Sequence, residues 1–367
     1  TSDSTDAKRI DSSDTQPSNT DVDGTGEDTT ETEKLDTTNT KGRILVKAED
    51  KAVTEELIKE TRGEILGQYD DVYLIQYKTE TKAADAAETL SDNDQIQMDD
   101  AVFSIADNAE ISDDVSDITA ENNPLNALNH TDKDKSDDWT IALIDTGASG
   151  NNVVESVSML GDDGKDENGH GTRMAKLITE ENPNARILSS KALDKNGKGT
   201  PSSVYASIQY TNKKKVRIIN LSFSGAKQSG NAVIEEIIKE ANKNGITVIG
   251  AAGNNGANVS GYLPGSLEVV QTIGAADTNG NKLESSNYGN LVDWWITAKS
   301  TSEAAAKASG IYSRDGHLQK NNEVFPSEHT DIKESDVSTS DFEGFEIADH
   351  NATYSRGTKS LSDYMGG

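Results

Sequence analysis

The sequence predicts an α/β fold, a parallel sheet with helices on both faces, preceded by a small ferredoxin-like α+β unit. Three observations carry this. The runs "WTIALIDTG", "ARILSSKAL", "VRIINLSFSG" and "GITVIGAAGN" are apolar and rich in β-branched residues, as strands buried on both faces of a sheet must be. Helical patterns separate several of them, which calls for parallel strands joined by crossover helices. Residues 43–105 carry a different order of strand, helix, strand, strand, helix, strand, that of a split βαβ unit.

Taken along the chain, residues 1–41 come first, nearly all Ser, Thr, Asp, Glu, Gly and Asn, with Ile10, Val22 and Leu35 as the large aliphatics. So little apolar surface cannot offset the entropy of ordering the segment, and it is expected to be a disordered tether. In residues 42–105, "RILVKA" reads as a strand, "KAVTEELIKET" as a helix, "GEILGQY" and "DVYLIQY" as two strands, "TKAADAAETL" as a helix and "DQIQMDDAVFSI" as a last strand. Residues 106–138 are acidic and polar, with Pro124, and are expected to be an exposed connector suited to cleavage. From residue 139 to Gly310 runs the main α/β unit. Its clearest helix is "AVIEEIIKEANKNG", with Val233, Ile234, Ile237, Ile238 and Ala241 on one face and Gly245 as the stop. Residues 311–367 turn polar and acidic again, a tail whose structure the sequence leaves open.

The 367 residues carry a formal net charge of -29, which repels phosphates and argues against nucleic acid or an anionic membrane surface as a partner. There is no cysteine, so disulfides, thiolate metal sites and cysteine nucleophiles are excluded. No run approaches the roughly 18 apolar residues of a membrane span. No N-terminal stretch reads as a signal peptide, and Thr1 reads as a trimmed end. A secreted or cell-surface protein of a bacterium fits this composition, with an intracellular home left open.

Polar residues that do chemistry in such sheets lie at the carboxyl ends of strands. Asp145 directly follows "TIALI"; alone, a DTG is more often a turn. His170 stands between Gly169 and Gly171 where a helical pattern begins; alone, it reads as an exposed cap. Asn254 in "GAAGNNG" follows a buried strand; alone, it is most often a turn asparagine. Ser302 in "STSEAAAKASG" sits at the start of an alanine-rich helix.

Together the four make an ordered set of acid, histidine, amide and serine, and this order resembles the subtilisin-like serine proteases. "IALIDTG" is similar to the family's acid motif, "NGHGT" to its histidine motif, "IINLSFSG" to its substrate-binding strand and "AAGNNG" to its oxyanion asparagine. The resemblance covers about residues 139–310, and residues 43–105 resemble the family's inhibitory prodomain. It implies a serine endopeptidase made as a zymogen, with peptide or protein substrates and its own prodomain as partners. Ser302 is then the nucleophile, His170 the base, Asp145 its orienting acid and Asn254 the oxyanion donor, while Ser222, Phe223 and Ser224 form the edge that pairs with substrate.

This chain departs from the family pattern at several points. Ser300 stands where the family has glycine and Ala306 where it has proline, and the loop that lies in the family between the "WWITA" strand and the serine is deleted. A second candidate lies in "YSRGTKSLSDYMGG", where Gly357 and Thr358 match the motif opening. There Ser360 would be the nucleophile, or Lys359 would take the place and break the triad, which keeps open a catalytically silent domain used in binding or regulation. No cofactor is required; calcium is possible, although the loop that binds it in relatives is reduced between Asp145 and His170.

Overall fold

A computed structural model describes residues 41–100, 103–105, 141–227 and 232–318. The expected tether up to residue 40, the whole of the connector, the tail beyond Leu318 and the Ser360 candidate lie outside the described residues. Among the described residues no helix is long and apolar enough to cross a membrane.

The N-terminal unit consists of β1 (Arg43–Lys47), α1 (Lys51–Glu60), β2 (Glu64–Tyr69), β3 (Val72–Gln76), α2 (Glu80–Ser91) and β4 (Gln95–Met98). Its strands form an antiparallel sheet in the order β2-β3-β1-β4. Asp50 caps α1, accepting from the Ala52 N–H at 3.0 Å, and Thr79 caps α2. Each supplies an acceptor for a first-turn donor that the helix itself leaves unpaired. Ile44, Val46, Tyr73 and Ile75 pack under these helices against Ala83, Ala86 and Leu90. The alternate residues Leu45, Leu66, Val72 and Leu74 point the other way, into the core of the larger unit.

The stretch expected as one final strand is divided in two. After β4 the chain turns at Asp99 and Asp100, and β5 (Phe103–Ser104) pairs with a different sheet system. Asp99 makes the break. Its fully buried carboxylate leaves the strand pattern to accept the Ser202 N–H at 2.7 Å and to meet the Arg43 guanidinium at 3.3 Å. Burial pushes its pKa up, opposed by Arg43 and by the Ser202 hydrogen bonds.

The larger unit is a seven-stranded sheet in the order β15-β14-β12-β10-β6-β8-β7, parallel at every pairing. Its strands are β6 (Ile141–Asp145), β7 (Val153–Ser158), β8 (Ile187–Lys191), β10 (Ile218–Leu221), β12 (Thr247–Ala251), β14 (Val270–Ala276) and β15 (Trp294–Thr297). Alternate residues of one strand serve the two faces. On one face Ala142, Ile144, Ile219 and Val248 pack with α4 (Pro201–Lys214) and α5 (Ala232–Lys243). On the other, Ile141, Leu143, Ile218 and Ile249 pack with α3 (His170–Glu181) and α6 (Thr301–Asp315). Gly245, at φ +84°, stops α5 as its sequence predicts. The edge strand β7 has no counterpart in the sequence reading, because Glu155 and the half-exposed residues around it give no buried run.

Helices α3 and α6 lie unusually close. A Cβ at Gly310 would stand 2.6 Å from the Ile178 carbonyl oxygen, so this contact requires glycine. Helix α6 also runs past Gly310 to Asp315, with Ile311 and Leu318 in the core. The polar stretch therefore begins later than its sequence suggests.

Candidate active site

Strand order reverses between β6 and β10, the first leading to β8 and β7 on one side and the second to β12, β14 and β15 on the other. Such a switch point opens a crevice at the carboxyl ends of the strands. Asp145 ends β6 there, and Ser222 follows β10.

Asp145 is fully buried, and its Oδ1 accepts from the Thr146 N–H at 2.7 Å and meets His170 Nδ1 at 2.8 Å. Assigning the proton to Nδ1 makes this a charge-assisted hydrogen bond and leaves Nε2 as the basic nitrogen. Nε2 is buried and makes no hydrogen bond among the described residues. Two glycines permit this approach. A Cβ at Gly171 would lie 1.8 Å from the Gly147 carbonyl oxygen, and Gly147 itself adopts φ +96°. The flanking glycine behind the histidine motif is thus a steric requirement of the Asp145–His170 contact.

His170 opens α3, whose N-cap Gly169 has no side chain to offer. Three other side chains serve the helix start instead. Asn168 Oδ1 accepts the His170 N–H at 3.2 Å, Thr146 Oγ1 the Gly171 N–H at 3.0 Å, and Asp166 Oδ2 the Thr172 N–H at 2.8 Å. Asp166 Oδ1 takes in addition the Thr146 hydroxyl at 2.8 Å and the Gly169 N–H at 2.7 Å. Burial alone would raise the Asp166 pKa, but these donors outweigh it and hold the carboxyl below its usual range. Asp166 was not singled out from the sequence; its signal was an acidic residue placed to cap the helix that carries the histidine.

Ser302 lies in the first turn of α6 and is 2 % exposed. Its hydroxyl donates to the Ser222 carbonyl oxygen at 2.8 Å, and the Ser222 hydroxyl has both the Asn220 Oδ1, at 2.8 Å, and the Ser302 carbonyl, at 3.0 Å, within hydrogen-bonding distance. No hydrogen bond joins Ser302 to His170. Ser300, where the family has glycine, is the N-cap at φ -155°, an extended backbone open to any residue, and its Oγ accepts the Glu303 N–H at 3.3 Å. The departure costs no backbone strain.

Asn254 turns its Oδ1 to Thr301, accepting from the backbone N–H at 2.9 Å and the hydroxyl at 3.0 Å. Its Nδ2 makes no hydrogen bond among the described residues, which leaves an amide donor beside the residue that precedes Ser302. Asn287, which the sequence reading passed over, braces this loop by accepting from Asn255 and Ala257 at 3.0 Å each and donating to the Ala252 carbonyl at 2.9 Å. Glu303, next to Ser302, is paired with Arg173 of α3 at 3.8 Å, a tie between the histidine and serine helices.

The expected substrate edge is occupied. Ser224 exchanges both backbone hydrogen bonds with Ser104, at 2.8 and 3.1 Å, while the buried Phe223 meets Phe103 edge-to-face at 5.6 Å. On its other side the same strand, β5, pairs with β9 (Lys198–Gly199). Among the described residues no three His, Asp or Glu side chains are grouped as a metal site requires.

The sequence profile described as the subtilase family, Peptidase S8, matches residues 128–340. The chain is 33% identical over 161 residues to subtilisin-like protease 2 of Pseudogymnoascus destructans, covering 39% of this chain and 40% of that protein. It is 31% identical over 167 residues to a thermostable alkaline protease of Halalkalibacterium halodurans, covering 42% and 45%. To subtilisin DY of Bacillus licheniformis it is 30% identical over 168 residues, covering 41% and 60%. The chain thus spans less than two thirds of the length of each of these relatives. Among solved structures, that of a cold adapted subtilisin-like serine proteinase matches with a TM-score of 0.46 at 23% identity, over 52% of this chain and 79% of that one.

Proposed function

Because the chain belongs to the subtilase family, we propose that it is a serine endopeptidase made as a zymogen, with Asp145, His170 and Ser302 as its triad and Asn254 as oxyanion donor. The observation that carries this reading is the buried 2.8 Å contact between Asp145 and His170 Nδ1, which leaves a basic Nε2 with nothing to bind. A histidine held in one tautomer by a buried carboxylate is the general base that a serine hydroxyl needs.

In the reaction, Ser302 Oγ attacks the peptide carbonyl while His170 Nε2 takes its proton. The tetrahedral oxyanion receives the Asn254 Nδ2–H. The leaving amine takes the proton back from His170, and water repeats the sequence on the acyl-enzyme. Loss of one oxyanion donor costs about 10²–10³ in turnover in enzymes of this kind. The first step requires the Ser302 hydroxyl to leave the Ser222 carbonyl, a rotation about one side-chain bond.

Residues 42–105 act as the inhibitory prodomain in this reading. The support is β5, which already fills the edge where Ser222, Phe223 and Ser224 would receive an extended substrate. A serine-directed fluorophosphonate and a casein digest test the proposal. The expected result is label on a Ser302 peptide, with label and casein cleavage both lost in Ser302→Ala. Label on Ser360 would move the nucleophile, and neither label nor cleavage would remove the activity.

One observation favours a second reading, a silent domain that binds rather than cuts. The Ser302 hydroxyl is bonded to Ser222 and not to His170. An unlabelled protein that nevertheless retains peptides in its cleft would select that reading.

A further inference from the structure

The loop that leads to His170 carries four carboxylates in the six residues 162–167, those of Asp162, Asp163, Asp166 and Glu167. Beneath it lies a lysine that the reaction scheme does not use. Lys191, the last residue of β8, is 1 % exposed. Its Nζ donates to the Lys165 carbonyl oxygen at 2.8 Å and meets Asp162 Oδ2 at 2.7 Å, with Glu167 Oε2 at 3.6 Å. A buried ammonium is costly unless its protons find acceptors, and these three acceptors all come from the one loop.

The loop is fastened to Lys191 twice. The Met159 N–H donates to the Lys191 carbonyl oxygen at 2.9 Å, so the loop leaves β7 on the lysine's backbone and returns over its side chain. In the neighbouring strand β6 the residue in register with Lys191 is Asp145, whose carbonyl oxygen accepts the N–H groups of Ala192 and Leu193 at 2.9 and 3.1 Å. The loop also packs directly on the turn after Asp145. A Cβ at Gly147 would stand 2.8 Å from the Gly164 carbonyl oxygen and 3.0 Å from the Asp166 nitrogen.

Resting on the peptidase reading above, we propose that Lys191 is a positioning residue for His170: its ammonium holds residues 162–167 in the arrangement in which Asp166 caps α3 and braces Thr146. The route runs through hydrogen bonds. The Lys165 carbonyl held by Lys191 belongs to the peptide unit that leads into Asp166. Asp166 takes the Thr146 hydroxyl and the Gly169 and Thr172 N–H groups, while Thr146 accepts the Gly171 N–H and gives its own N–H to Asp145 Oδ1. His170 is thus reached from two sides, through the start of its helix and through the carboxylate that meets its Nδ1.

A cation is needed here because four carboxylates so close together repel one another. The other cation of the segment, Lys165, is exposed and pairs with Asp163. Burial alone would raise the Asp162 pKa, but hydrogen bonds led by that from Lys191 outweigh it and hold the carboxyl below its usual range.

The test is Lys191→Met in the full chain, which keeps the length of the side chain and removes its charge. Two readouts separate positioning from a general loss of packing. The first is peptide hydrolysis in a double-mutant cycle with Asp166→Asn. Lys191→Met is expected to lower kcat by about 10- to 100-fold with KM changed by less than about twofold, and to add almost nothing once Asp166→Asn is present. The second needs no activity: the low-field proton resonance of the His170 Nδ1–H held by Asp145 is expected in the unaltered protein and lost to exchange with water in a Lys191→Met protein that still melts cooperatively. Should Lys191→Met not fold, Asp162→Asn, which removes one partner of the ammonium at the surface, takes its place with both readouts. An unchanged kcat or an unchanged resonance in the folded variant overturns the proposal. So does an effect that multiplies with that of Asp166→Asn, since Lys191 then acts by another route. An unaltered protein that neither cuts peptides nor takes fluorophosphonate overturns the peptidase reading, and the resonance still decides whether Lys191 positions His170.

Discussion

The two sheets of this protein are buried in opposite ways. The seven-stranded sheet is covered on each face by its own helices, α4 and α5 against one and α3 and α6 against the other. The four-stranded sheet has helices of its own on one face only, and its second face, carrying Leu45, Leu66, Val72 and Leu74, shares a core with Tyr205, Ile208, Val233 and Ile234 of the larger unit. The larger sheet is therefore complete by itself, whereas the smaller one completes its burial by docking. Away from the larger unit, the smaller one would keep only the core under its own helices.

The docking also uses helix starts. Asp99 accepts the Ser202 N–H at the beginning of α4, and Gln97 Oε1 accepts the Ile234 N–H near the beginning of α5 at 3.0 Å. Both anchors come from the end of the small unit, just before the strand that enters the cleft.

The largest effect expected from breaking this comparison is at Asp99. Asp99→Ala removes an acceptor for the Ser202 N–H at the start of α4 and strands the fully buried Arg43, a class of change that costs about 3–5 kcal/mol. The two units should lose their joint unfolding transition, checked by calorimetry on Ser302→Ala protein so that no cleavage intervenes. Next come two neighbouring core residues, Leu74→Ala and Ile75→Ala, each expected to cost about 2–5 kcal/mol in the whole protein. Ile75→Ala should weaken the isolated fragment 41–105 more than Leu74→Ala does, because Leu74 keeps there only the sheet neighbours of a face that the larger unit no longer covers; circular dichroism of the fragment separates them. Equal effects on the fragment would mean that the small sheet does not depend on docking.

A smaller effect tests the starts of the helices that carry His170 and Ser302 against each other. Helix α3 is capped from a distance by Asp166, and α6 by its own Ser300. Ser300→Gly should cost only a few tenths of a kcal/mol and Ser300→Ala about 1 kcal/mol, read from denaturant midpoints. The smallest effect is a slope. The Asp166 pKa is lowered in the folded state, so the folded protein binds its proton more weakly than the unfolded chain does. The stability this contributes is present above about pH 4, the unfolded value, and is lost as pH falls through the lower folded value. Asp166→Asn should flatten that acid limb of the melting-temperature profile and leave the limb above pH 5 parallel to that of the unaltered protein.

Much of this architecture was legible in the chain. "RILVKA" and "DVYLIQY" gave two strands of the small unit, and their unbroken apolar character carried a further message. Antiparallel strands with one wet face alternate; these do not, because β3 is buried at every position. The helix in "AVIEEIIKEANKNG" and its glycine stop were equally plain. "DQIQMDDAVFSI" misled, since a strand that changes sheets has the same apolar pattern as one that does not. Asp166 and Asn287 were not singled out for a related reason: an acidic or amide residue in a polar loop looks much alike whether its oxygens meet solvent or backbone N–H groups.

By itself the sequence determined most of the strands and helices, though not the half-exposed β7 or the break after β4, and it set Asp145, His170, Asn254 and Ser302 in order at their ends, because side-chain period and glycine spacing are local properties. Only the tertiary structure decided what those residues touch. The partners of Asp145, Ser302 and Asp99 lie 25, 80 and 103 residues away along the chain. Such contacts depend on strand order and on the closeness of two backbones, which no local pattern encodes. The register that sets Ser104 against Ser224 is of the same kind.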